Sequence, residues 1–415
     1  MALKFNFSLK NNKLATYFII LNTFLYIDAL DRQGIISLPI LKYILSLSSF
    51  IYLGYYFRFG IGTKKDAPGV LILIYFSYLF FLFISSISID SLYIKRLLSA
   101  RYFITPFLLP IIFYFIQIRT EKLLSLFKRG IELLLVPLLV LGILLIYRTN
   151  ELKSTWYQDY HLFSVFELCF PLIYYNIQFV GQFKYRFYAH SYVFLMVLFS
   201  MIAGRRGMLL EYSTYFIIGS LLLFISSLIN LRTKMTLFVV ISSLSIFIFF
   251  NWNFLQSSFF IFERGIGIEA AEDSRLLVVE DFFSDFNEKG DWTIGRGLDG
   301  RVLRTIYEKK TGETDSDTIE NGFLYRILKG GLLLLILELM IFFYSIFLGL
   351  FNSNNSFSKS SALVVISYII GMFSFNIPDY SPKYCLLWLC VYINYDSEFR
   401  SMTNSKIRNL LDIKR

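Results

Sequence analysis

Long, unbroken apolar runs constrain this chain more than any other feature. VLILIYFSYLFFLFI (70–84) and GGLLLLILELMIFFYSIFLGLF (330–351) carry no alternation of polar and apolar residues, and each approaches the roughly 20 residues that cross a hydrocarbon core. Inside lipid a backbone must satisfy its own hydrogen bonds, so such runs are helices; a β-barrel would need short segments of period two. The composition agrees. Charged residues make up 17% of the 415, aromatics 19%, and the mean hydropathy is +0.58. A soluble domain carries about 25% charge, so the expected fold class is an all-α polytopic membrane protein.

About twelve transmembrane helices are predicted, centred near Leu21, Leu47, Ser77, Phe107, Leu138, Phe170, Met196, Gly219, Ser245, Ile336, Ser367 and Leu387. The chain then divides into 1–255 with about nine spans, an extracytoplasmic insert at 256–321, 322–395 with about three spans, and a basic tail at 396–415. Lys and Arg in the connecting segments set the orientation: 20 fall on the side of the N-terminus and 8 in the short loops opposite. Both termini are therefore expected in the cytoplasm, with the insert facing outward. The first span has no A-x-A cleavage site and reads as an uncleaved signal anchor.

Cys169, Cys385 and Cys390 all fall in predicted spans, as small apolar packing residues rather than a disulfide framework, and two histidines are too few for a histidine metal centre. The formal charge of +10 does not point to nucleic acid. The insert holds 8 basic and 15 acidic residues, so the basic excess lies elsewhere and faces anionic inner-leaflet lipid.

Clustered polar chemistry is concentrated in the insert. Leu276, Val279, Phe283 and Phe286 recur at helical spacing between acids, which predicts an amphipathic helix lying on the bundle. Gly295, Gly297 and Gly300 form G-x-G-x-x-G, but without the strand and βαβ unit that a dinucleotide fold requires. Two readings stay open there. Either the glycines are a flexible turn before a solvated helix, or Asp299 caps a helix from Gly300 to about Lys310 whose free N–H groups, with Arg296, Arg301 and Arg304, hold a diphosphate. Asp315-Ser316-Asp317 has the D-x-D spacing of nucleotide-sugar metal sites, yet it lies outside the cell, and no metal is expected.

Arg205 and Arg206 occupy the short outer turn AGRRGMLL between two apolar runs, and Arg101 lies near the outer end of another span. A guanidinium there either snorkels or grips phosphate through its planar fork.

The GRRG turn, the Asp273–Arg275 helix start, the Gly295–Gly297 step and the ENGFLYRILKGG approach to the next span together resemble the O-antigen polymerase and ligase superfamily, of the Wzy type, over roughly residues 200–345. Ligases of that family tend to have His before Asn; here Glu320 precedes Asn321, which shifts the expectation toward polymerase. The resemblance implies a GT-C-like, metal-independent and cofactor-free inverting glycosyltransferase in the bacterial inner membrane. Its donor and acceptor would be polyprenyl-diphosphate-linked glycans, with a chain-length regulator protein as a further partner and no nucleic acid. The residues it implies are Arg101, Arg205, Arg206 and Arg275 on the diphosphate, Arg296 and Arg301 on donor phosphate or sugar, Glu320 as base and Asn321 orienting it. Ligase and lipid-linked oligosaccharide flippase are the alternatives. The flippase lacks support from deep ionisable residues, which are mainly Lys42, Glu132, Glu167 and Glu338.

Overall fold

The computed structural model describes residues 67–86, 105–115, 170–177, 183–202, 206–225, 274–303, 315–317, 319, 321–374 and 377–411, with scattered helical positions between 16 and 52 and between 123 and 139. These residues are predominantly helical. The helices are α1 (Ala67–Ser85), α2 (Thr105–Phe115), α3 (Phe170–Tyr175), α4 (Phe183–Ile202), α5 (Arg206–Ile225), α6 (Ser274–Lys289), α7 (Gly322–Phe351), α8 (Ser356–Met372), α9 (Pro382–Tyr395), α10 (Ser397–Ser401) and α11 (Asn404–Leu411). One two-stranded ladder pairs β1 (Val302–Leu303) antiparallel to β2 (Asp315–Ser316).

Eight of the predicted centres, Ser77, Phe107, Phe170, Met196, Gly219, Ile336, Ser367 and Leu387, fall inside these helices. Leu21, Leu47 and Leu138 are helical positions, and Ser245 lies outside the described residues. Among the described residues α7 is the helix long and apolar enough to cross a membrane; Gly69–Ser85, Gly207–Leu222 and Ser356–Met372 are shorter apolar helices.

The exposed faces of the bundle are as apolar as its core. Along α7, Leu332, Ile336, Met340, Phe343, Phe347 and Phe351 are exposed, while Glu338 and Ser345 are buried. On α1 the exposed side chains are again apolar, among them Leu73, Phe76, Phe80 and Ile84. A stripe recurring every three or four residues on adjoining helices is a contiguous apolar surface of the kind that marks contact with a membrane or a partner. A bilayer accounts for it.

Caps fix which helix ends lie together. Asn321 caps α7 by accepting from the N–H groups of Phe323 and Leu324 at 3.0 Å, and its amide donates to Phe373 O just past α8. At the opposite end Asn355 caps α8 and donates to the carbonyls of Phe399 and Met402, tying the α7–α8 turn to the segment after α9. Thus α7, α8 and α9 run antiparallel, with the insert at one end and α10 and α11 at the other.

The insert corrects two expectations. Its helix α6 is present, but the buried side chains are Phe282, Asp285 and Phe286, while Phe283 is exposed. The inner face is turned by one residue because Phe282 and Phe286 stack at 4.2 Å and close on Trp292. The helix predicted from Gly300 to about Lys310 is not formed over 300–303, and 304–310 lie outside the described residues. Val302 is buried in β1, and Leu303 N–H donates to Asp285 Oδ2 at 3.1 Å.

Candidate functional site

The approach to the bundle along α7 is a broken helix. Gly330 leaves helical geometry (φ −147°, ψ 18°), and Gly331 takes φ 65°, ψ −170°, in the left-handed half of the map that glycine tolerates. The break orphans backbone groups that a membrane interior cannot leave unmet. The insert supplies the missing partners. Arg296 N–H donates to Leu328 O at 2.9 Å, Leu332 N–H to Trp292 O at 2.8 Å and Leu333 N–H to Thr293 O at 3.3 Å. From the bundle side, Tyr78 Oη of α1 donates to Gly330 O at 2.7 Å. Closeness forbids larger residues: a Cβ on Gly331 would stand 2.2 Å from Thr293 O, and one on Gly295 2.4 Å from Gly331 N.

The half-helix before the break carries two cations into the interior. Arg326 is fully buried and bonds through Nε to Glu338 Oε2, on the far side of the break, and through Nη1 to Gly322 O at 2.8 Å. Tyr75 Oη of α1 donates to the other oxygen of Glu338 at 3.0 Å, and the guanidinium lies 6.0 Å from the centroid of the Tyr368 ring. Lys329, buried too, donates to Gly300 O at 3.0 Å. Charge held inside an apolar bundle is disfavoured by several kcal/mol on the order-of-magnitude scale, so side chains of this kind mark function far more often than scaffolding.

Arg296 acts as a fastener on the insert. Its guanidinium reaches Asp285 at 2.5 Å, Asp291 at 2.6 Å and Arg301 O at 2.7 Å, over the Phe286 ring. Burial opposes ionisation of Asp285, but the hydrogen bonds from Arg296, Lys289 and the Leu303 amide outweigh it and hold the carboxyl at about 2. Burial likewise works against the charged form of Arg296, and its two carboxylates overcome that and raise it.

A second polar group bridges α5 and α9. Lys383 Nζ lies 2.6 Å from Glu211 Oε2, and Tyr215 Oη donates to Oε1. Tyr215 meets Tyr175 edge-on, and Tyr175 bonds Ser367 Oγ at 2.6 Å, one residue before the Tyr368 that faces Arg326. The two clusters therefore flank α8.

The predicted residues distribute unevenly over this arrangement. Asn321 caps α7, Arg296 is engaged by Asp285 and Asp291, and Arg301 stands exposed before β1 with its carbonyl on Arg296. Arg206 opens α5 and Arg275 lies in the first turn of α6. Arg101, Arg205 and Glu320 lie outside the described residues. Sequence reasoning missed Arg326, Lys329 and the Glu211–Lys383 bridge. The signal for the first two was present in ENGFLYRILKGG, where cations three apart precede a glycine pair; Glu211 follows the GRRG turn by less than two turns of helix. No group of three potential metal ligands occurs among the described residues.

No protein family, curated protein or solved structure matches this chain.

Proposed function

We propose that this protein is a polysaccharide polymerase of a bacterial inner membrane, an inverting glycosyltransferase that moves a polyprenyl-diphosphate-linked glycan onto a lipid-linked repeat unit at the outer leaflet. One observation carries the reading: α7 enters the bundle as an interrupted helix whose break the insert closes, with the buried Lys329 donating to Gly300 O of that insert. Departure of an anomeric diphosphate develops negative charge, and fixed cations in a low-dielectric site stabilise it. In this scheme about twelve spans hold the insert outside, both termini face the cytoplasm, and a chain-length regulator sets polymer size. Arg205 and Arg206, with Arg101 and Arg275, grip diphosphate; Arg296 and Arg301 line the donor side through the insert; Glu320 takes the acceptor proton. Asn321 positions Glu320 by fixing the start of α7.

Purified protein in vesicles, given a lipid-diphosphate repeat unit, is expected to make longer chains, and Arg205→Ala to leave single units. Unchanged chain lengths in that variant would remove the diphosphate role. A transporter of the same lipid-linked glycan is the second reading, favoured by the interrupted helix, because broken helices line substrate paths in transporters. Movement of the lipid-linked unit between leaflets without elongation would select it. Product joined to a lipid core, rather than to another repeat unit, would indicate a ligase.

A further inference from the structure

We infer that the turn 292–295 of the insert is seated in the bilayer, with Ile294 and the Phe283 edge of α6 against acyl chains and Trp292 at the headgroup level. The inference requires lipid around α1 and α7 and is independent of any enzymatic activity.

Depth follows from the two helices that the turn touches. The end of α1 faces the insert, where Ser86 Oγ accepts from Leu298 N–H at 3.0 Å. The 19 residues of α1 rise about 28 Å, so its whole length is needed to cross a core of about 30 Å. The turn does not sit on top of that helix. Tyr78, about two turns or 10 Å before Ser85, donates to Gly330 O at 2.7 Å and lies 3.5 Å from Ile294 O, and a Cβ on Gly330 would stand 2.8 Å from Leu82 Cδ1. Phe80, Phe81 and Ile84, exposed on the same stretch of α1, therefore lie level with the turn or beyond it. From the other side, residues 331–351 of α7 rise about 31 Å, which puts Leu332 and Leu333, the donors to Trp292 O and Thr293 O, at the edge of the core.

The side chains suit that depth. Ile294 is 46% exposed and Phe283 44%, and Phe283 leans on the Trp292 ring with centroids 5.4 Å apart. Trp292 Nε1 donates to Asn287 Oδ1 at 3.0 Å, on the face of α6 where Glu280, Ser284 and Glu288 are also exposed. The indole thus has an apolar edge and a polar one, the arrangement that holds tryptophan at a membrane surface. The backbone is prepared for lipid as well. Of four successive carbonyls, Asp291 O accepts from Gly295 N–H, Trp292 O and Thr293 O accept from Leu332 and Leu333, and Ile294 O has Tyr78 Oη at 3.5 Å. Water would make such pairing unnecessary, whereas irregular backbone at membrane depth requires it. The charges that flank the turn, Asp291 and Arg296, pair with each other at 2.6 Å.

Full-length protein and its Trp292→Phe variant are reconstituted in vesicles of ordinary phosphatidylcholine and of phosphatidylcholine brominated near the headgroup end of its chains. The difference between the two proteins is the emission of Trp292. That emission is expected to lose most of its intensity to bromine and little to aqueous iodide. Quenching mainly by iodide would put the turn in water, and shielding from both quenchers would mean that another protein covers it; either result overturns the inference. If Trp292→Phe misfolds, a nitroxide on Ile294→Cys decides instead, read against labels on Phe80→Cys in the apolar stripe and on Asn287→Cys on the polar face of α6. Unsubstituted protein treated in parallel supplies the background of Cys169, Cys385 and Cys390. Collisions with oxygen like those at the Phe80 position are expected. Collisions with a water-soluble nickel complex like those at the Asn287 position overturn the inference.

Discussion

Arg296 shows how one side chain holds the insert in place. Its contacts with Asp285, Asp291 and Arg301 O join α6 to the turn before β1, so Arg296→Ala should loosen the insert by about 2 kcal/mol, while Arg296→Lys, lacking the fork, recovers only part of it. Hydrogen exchange of amides in 285–303 reads this directly. Acid gives a matching test. The carboxyl of Asp285 lies at about 2, below its ordinary value of roughly 3.9, so its contribution is complete above about pH 4 and is lost as pH falls through 2. Protection of the same amides should fade over that window, and a loss centred near neutrality would contradict the assignment. Arg326 and Glu338 follow different rules, since both are fully buried. Removing either alone should destabilise the bundle by about 3–5 kcal/mol, whereas Arg326→Met with Glu338→Leu should recover most of that. Thermal unfolding of the four proteins in detergent forms the cycle; additive losses would mean that the two do not act as a pair.

The decisive element is α7. Its existence was legible from hydropathy, because 331–351 holds a single charged residue, Glu338. Its interruption was not legible. Gly330-Gly331 in an apolar stretch also fits close helix packing, and only the approach of Thr293 and Ile294 requires the left-handed φ at Gly331. The face of α6 was misread for a similar reason: Phe282 and Phe283 are equally apolar and both meet the Trp292 ring, and the stack of Phe282 on Phe286 decides between them. The first residues of the helix predicted after Gly300 are strand instead, because Asp315–Ser316, farther along the chain, pairs with Val302 and Leu303 in a way that local propensity does not reveal. Gly331→Ala should therefore cost well over 1 kcal/mol and displace the insert, since it adds both a clash and a strained φ. Gly290→Ala also has a positive φ but meets nothing within 4 Å, so it should leave the break unchanged. Cysteine cross-linking between Thr293 and Leu333 positions would report the difference.

At the scale of the whole molecule, exposed faces as apolar as the core, with tyrosine, serine and paired charges set among buried leucines and phenylalanines, place much of the driving force for assembly in packing and hydrogen bonding. Phe343→Arg, on the exposed stripe of α7, should impair insertion by about 2.5–3.5 kcal/mol. Phe343→Leu should be silent. Membrane-fraction abundance after alkaline extraction distinguishes them, and equal abundance would argue against lipid at that face. Because main-chain groups of Trp292, Thr293 and Arg296 complete the ladder of α7, the insert and this helix form a single heritable unit. A chimaera that imports a new insert from another protein must bring its own glycine pair and half-helix, and a splice placed between Leu303 and Gly322 would leave two mismatched halves.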